Sequence, residues 1–143
     1  MTGSDNLDEF SVVLSQDVIW GDMDAFQHVN NAVYFRYFED ARIAYFEKAG
    51  MLESAKQTGL GPILASARCD FRAPLTFPDQ IRIGVKVEEV KEKKFTMRFA
   101  VESLSLGKLV AEGEGLVVFY DYNQQKSCRI TDSIINHIND IES

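Results

Sequence analysis

Asp22 and Asp24 stand one residue apart in the stretch 21–31, which His28, Asn30 and Asn31 close. A carboxylate in such a loop can serve as nucleophile or general base toward a reacting carbonyl. The free backbone amides of a helix starting just beyond it can take up the negative charge that develops on that carbonyl's oxygen. Together the two suit acyl transfer. Asp and Asn before a helix also act as caps and loop braces, because a side-chain oxygen accepts from the orphan amides of the first turn. A metal fits less well: two carboxylates with Asn30 and Asn31 at a distance lack calcium-loop spacing, and no Cys stands near His28 to complete a zinc set. We therefore expect no metal. His28 alone reads as a histidine that orients the loop. The chain has no G-x-S-x-G elbow, no phosphate-binding glycine loop and no H-E-x-x-H, so the serine-hydrolase, nucleotide and metalloprotease signals are absent.

The periodicities on either side of the loop tell what must position it. Over 10–20, Val12, Leu14 and Val18 alternate with polar residues as a strand requires. From about residue 32 the period becomes helical, with Tyr34, Phe38, Ala41 and Tyr45 at three- and four-residue steps, and Gly50 supplies a stop near 49. Asn30 or Asn31 stands where an N-cap belongs. Four strands then follow, over 63–71, 80–90, 94–104 and 108–120, and a short helix over 131–141 closes the chain. An aromatic-rich helix this apolar has to be wrapped. The fold class is α+β, one antiparallel sheet curled around one long helix, with exposed edges that a second subunit can cover.

The 143 residues suffice for one domain with a sizeable core. We expect a flexible segment over 1–9 and a single domain over 10–143. A net charge of −7, from 15 Lys plus Arg and 22 Asp plus Glu, argues against a duplex-wrapping nucleic-acid binder. Cys69 and Cys128 form no C-x-x-C pair and are too few for a disulfide scaffold, which fits a reducing compartment. The start carries Asp5, Asp8 and Glu9 where a secretory signal would be basic and then apolar. No apolar stretch approaches the roughly 18 to 20 residues of a membrane span. The expectation is a cytoplasmic protein with neither nucleic acid nor membrane as partner.

The run Trp20-Gly21-Asp22-Met23-Asp24 through His28-Val29-Asn30-Asn31 to Tyr34-Phe35, with Glu39-Asp40-Ala41-Arg42 beyond, resembles the signature of hotdog-fold acyl-CoA thioesterases of the 4-hydroxybenzoyl-CoA thioesterase type. Plant acyl-carrier-protein thioesterases share its His-Val-Asn-Asn part. The downstream Ala73-Pro74-Leu75-Thr76-Phe77-Pro78-Asp79 and the strands after it fall in the same order, so the resemblance covers almost the whole chain. It implies the hotdog arrangement of sheet and helix, with Asp24 as the catalytic carboxylate, acting as nucleophile or as base on a water. The backbone amide of Asn31 would polarise the thioester oxygen. From the carrier-protein enzymes, His28 and Asn30 enter as secondary candidates. The chain departs from the 4-hydroxybenzoyl type at His28-Val29-Asn30-Asn31, where bulky apolar or aromatic groups are expected, so the acyl group stays open.

The resemblance also implies a homo-oligomer, a dimer or a tetramer, with the pantetheine arm entering between subunits. It places Lys91, Lys93, Lys94 and Arg98 beside the nucleotide phosphates, while Tyr34, from its place on the helix, is a candidate substrate contact and equally at home in the core. Such lysines are equally at home on a solvated hairpin tip. Thioester hydrolysis implies no cofactor, since CoA is part of the substrate. A carrier-protein thioester in place of acyl-CoA, and a hotdog module that binds thioesters without cleaving them, are the alternatives.

Overall fold

A computed structural model of the chain describes residues 5–143. Its elements in order are β1 (Val12–Asp17), a 3-10 turn (Trp20–Asp22), α1 (Asn31–Lys48), α2 (Met51–Thr58), β2 (Leu60–Phe71), β3 (Gln80–Glu88), β4 (Lys94–Ser103), β5 (Lys108–Asp121), β6 (Lys126–Ser127) and α3 (Asp132–Glu142). The strands make one antiparallel sheet in the order β1-β3-β4-β5-β2, with β6 a short addition to β5. The two edges are therefore β1 and β2. This is the α+β arrangement of one antiparallel sheet around one long helix that the helical and strand periods require, and the hotdog arrangement that the resemblance implies.

α1 is wrapped because its apolar residues recur at three- and four-residue steps. Tyr34, Tyr37, Phe38, Ala41, Tyr45 and Phe46 are all buried. They meet the inward rows Ile81, Ile83 and Val85 of β3 and Phe95, Met97 and Phe99 of β4 in a single core. Phe38 stacks on Phe99 with ring centroids 4.8 Å apart. That approach requires glycine at 113 on β5: a Cβ there would stand 2.5 Å from the Phe38 ring and closer still to the Arg68 carbonyl oxygen.

Two local features depart from the sequence reading. Gly50, in the left-handed region at φ 76°, does end α1, but α2 starts at the next residue and buries Met51. The strand expected over 63–71 already starts at Leu60 and takes in Gly61 and Pro62. β2 is an edge strand, where proline costs no ladder bond on its free side. Gly61 lets α2 lie close, since a Cβ on it would stand 2.6 Å from the Ala55 side chain.

The start of the chain packs on the sheet. Residues 1–4 of the expected flexible segment lie outside the described residues. Residues 5–9 lie against the outer face of the sheet, because Leu7 and Phe10 bury themselves with Ala100 and Leu109. Arg82 fastens this strap, pairing with Asp5 at 2.6 Å and with Glu102 at 2.7 Å. At the other terminus Thr131 caps α3, and Ile134 and Ile138 turn inward. Among the described residues, no helix is long and apolar enough to cross a membrane.

Candidate active site

The loop between β1 and α1 folds back on itself. The Asp24 amide donates to the His28 carbonyl at 2.7 Å, Gln27 donates to the Asp24 carbonyl at 3.0 Å, and Met23 bridges Val29. Gln27 occupies the left-handed region at φ 64°, which an L-residue adopts at some cost and which turns the chain through this tight corner. The Asn30 amide closes the loop on the Asp22 carbonyl at 3.0 Å, and the Val29 amide ties it to the Leu75 carbonyl at 2.8 Å.

Inside this frame the two aspartates have different surroundings. Asp22 pairs bidentately with Arg36 of α1 and is largely covered. Asp24 meets no cation among the described residues. Its Oδ1 accepts from the Phe26 amide at 2.8 Å and the His28 amide at 3.2 Å, leaving Oδ2 without a partner among the described residues. One oxygen is thus fixed by backbone donors and the other is free to react.

Asn30 is the cap: its Oδ1 accepts from the Ala32 amide at 3.0 Å, so its side chain is occupied. The Asn31 amide, first in the helix, has no acceptor among the described residues and carries the partial positive charge of the helix start. Asp24, His28, Asn31 and Tyr34 line one cavity of about 320 Å³, together with Val29, Phe71, Arg72 and the Ala73–Leu75 segment. Four residues singled out in the sequence thus converge. Asn30 does not line the cavity.

Tyr34 forms part of the cavity wall. Its ring meets Phe71 edge-on at 5.0 Å, and burial pushes its phenol up to about 12, so at neutral pH it presents an uncharged hydroxyl. Val29, Phe71 and Leu75 supply apolar surface beside the carboxylate and the free amide, and the cavity is open to solvent. Among the described residues, no three His, Cys, Asp or Glu side chains gather as a metal set.

The basic candidates lie elsewhere in the chain. Lys91, Lys93 and Lys94 are exposed in the turn between β3 and β4. Lys94 pairs in register with Val118 of β5, whereas Phe71 of the cavity pairs with Ala111. Seven residues of strand separate the two ends by roughly 23 Å at ~3.3 Å per residue. Arg98, on the outer face, pairs with Glu9 at 3.6 Å and Glu88 at 3.9 Å. Arg72 at the cavity pairs with Glu112 at 3.2 Å. Arg36 of α1 reaches back to Asp22. Glu39 meets Arg42 at 4.0 Å, and Asp40 accepts from Gln16 at 2.8 Å. No spacing rule could have paired Asp22 with Arg36, because a non-repeating loop intervenes.

A model of the thioesterase-like superfamily matches residues 18–138. Protein YsmA of Bacillus subtilis (strain 168), itself uncharacterized, is 35% identical over 95 residues, 66% of this chain and 63% of that protein. The chain thus spans a little under two thirds of that relative's length. The long-chain acyl-CoA thioesterase FadM of Escherichia coli (strain K12) is 23% identical over 105 residues, 73% of this chain and 80% of that one. A Thermus thermophilus thioesterase, solved complexed with coenzyme A and Zn, superposes with a TM-score of 0.83 at 26% identity, over 94% of this chain and 96% of that one.

Proposed function

The chain belongs to the thioesterase-like superfamily, and from that premise we propose that it hydrolyses acyl-CoA thioesters to a free acid and CoA. What carries the proposal is the pairing, in one cavity, of a carboxylate with a free oxygen and a helix-start amide with no acceptor. The thioester carbonyl accepts from the Asn31 amide, and Asp24 Oδ2 acts on the carbonyl carbon, directly or through a water whose proton it takes. In the direct route the C–S bond breaks as an acyl–aspartyl anhydride forms, and water then releases the acid. In the other route hydroxide adds and the thiolate leaves as the tetrahedral adduct collapses. Thiolate is a good leaving group, so electrostatic placement can supply much of the rate gain without a cofactor. His28 lines the cavity and is available to orient the water.

The site belongs to an assembly in this reading. Residues 63–68 of β2 are exposed on the free edge of the sheet, with Ile63, Leu64 and the neighbouring Phe35 of α1 presenting apolar surface. A second copy pairing along β2 would satisfy that edge. Lys91, Lys93 and Lys94 are then available to the phosphates of a substrate whose thioester lies in another copy's cavity.

Thiol release from acyl-CoAs of graded chain length, aliphatic and aromatic, tests the activity, and free CoA as competitor tests the carrier. Turnover of one acyl class with inhibition by CoA is the expected result. Turnover of acyl-carrier-protein thioesters alone would replace the carrier. Binding of acyl-CoA without thiol release would reduce the protein to a thioester-binding module.

A further inference from the structure

We propose that Arg36 is a positioning residue, holding the Asp24 loop in register with the Asn31 amide through its bidentate pair with Asp22. The inference rests on the hydrolytic reading of the cavity and adds to it a residue outside the cavity wall.

The two groups that must act on one carbonyl come from different elements. Asn31 belongs to α1, whose position the core fixes, while Asp24 rides on a loop whose tip is exposed: Phe26 is 82% exposed and contributes no packing. The loop's backbone ties are Asp24 to His28, Met23 to Val29 and Asp22 to Asn30, with Val29 also bonded to Leu75. These bonds shape the loop and join it to the helix start, and among the described residues none of them reaches α1 beyond its first turn. Among the described residues, Arg36 makes the side-chain hydrogen bonds that link the loop to the body of α1, Nη1 and Nη2 each meeting one Asp22 oxygen.

The fork geometry resists rotation where a single contact would not. Arg36 is also braced from behind, its guanidinium 6.0 Å from the centroid of the Tyr37 ring, at the limit of a cation–π contact. Tyr37 is itself buried, 1% exposed at the core face of α1. The chain of contact therefore runs from the core through Tyr37 and Arg36 to Asp22, and by two residues of backbone to Asp24. Arg36 is half in solvent, so the pair itself adds little to stability. A double variant that removes both charges separates the pair's geometric role from the cost of leaving the largely covered Asp22 unpaired. The consequence of the pair is geometric. Displacing a reacting group by about 1 Å can cost about a hundredfold in rate, so loosening this tie is expected to lower kcat about tenfold.

The experiment uses the full chain as Arg36→Gln, Asp22→Asn and the double variant, with Arg36→Lys as the charge-conserving control. Amide hydrogen exchange is read at Asp24, Phe26, His28 and Asn30, beside kcat, KM and thermal unfolding. We expect exchange at these four amides to rise about tenfold while sheet amides stay unchanged, the signature of local opening. kcat should fall about tenfold with KM within about twofold, and the double variant should be no worse than either single one, because both remove the same tie. Arg36→Lys should behave like Arg36→Gln, since a point charge cannot replace the fork. Unchanged loop exchange in Arg36→Gln overturns the proposal, as does faster exchange with an unchanged kcat in an active enzyme. Should the wild type cleave no thioester, the exchange result alone decides the tie, and the hydrolytic reading falls separately.

Discussion

Glu142, the last residue of α3, offers the sharpest test of how the fold closes. Its Oε2 accepts from the Tyr45 hydroxyl at 2.5 Å, the Ser11 hydroxyl at 2.9 Å and the Val87 amide at 3.0 Å. One carboxylate thus joins α3 to α1, β3 and the approach to β1. Tyr45 is fully buried and Val87 nearly so. Burial, and next the Glu142 carboxylate, push the Tyr45 phenol well above its ordinary value, so it stays a donor at all working pH values. Glu142→Ala leaves both donors stranded, at about 1–3 kcal/mol each, while water can serve the half-buried Ser11. The expected loss is about 3–5 kcal/mol, or roughly 10–15 °C in melting temperature for a domain of this size. Glu142→Gln keeps an acceptor and should lose about 1–2 kcal/mol. Urea unfolding followed by circular dichroism reads both, and the Tyr45→Phe cycle should show a coupling of about 1–2 kcal/mol. A loss below about 1 kcal/mol in Glu142→Ala would mean that the end of α3 frays and the latch is not formed in solution.

Gly113→Ala puts a methyl against the Arg68 carbonyl and the Phe38 ring, and should destabilise by about 1–3 kcal/mol in the same urea assay; an unchanged midpoint would mean that β5 and α1 are not in contact there. Asp79 tests the acid side. Burial opposes its charge, but the Ser103 hydroxyl and the Ser105 and Gln80 amides outweigh that and hold its carboxyl below the ordinary 3.8. A carboxylate with a depressed folded value stabilises fully above its unfolded value and loses that contribution as pH falls below it. Asp79→Asn should therefore be less stable than wild type at pH 7, with the gap narrowing near pH 3; a gap that does not change with pH would contradict the assignment.

Periodicity carried most of the fold. Tyr34, Phe38, Ala41 and Tyr45 mark the buried stripe of α1, and Ile81, Ile83 and Val85 mark the inner face of β3, because each pattern states which side must leave water. α2 was hidden because the left-handed Gly50 that ends one helix also precedes the next, and a turn signal does not specify the element beyond it. The strap over 5–9 is not legible in the sequence because Leu7 and Phe10 lie amid polar residues, and their binding site, beside Gly84 and Ala100, is made by distant strands. The convergence of Asp24, His28, Asn31 and Tyr34 was legible because all four flank one helix start. The contribution of Phe71 to Leu75 to the cavity, the distance of the lysine turn from it and the Asp22–Arg36 pair all depend on strand register and loop closure, which local sequence does not encode.

The central claim is that the free oxygen of Asp24 does the chemistry. Asp24→Asn preserves an oxygen to accept from the Phe26 and His28 amides while removing the negative charge, so the loop should keep its shape. Steady-state thiol release on the best acyl-CoA substrate should drop by about two orders of magnitude or more in kcat, with melting temperature and sheet amide exchange as in wild type. A folded Asp24→Asn protein that turns over within a few-fold of wild type would contradict the claim and move the reaction to another group in the cavity.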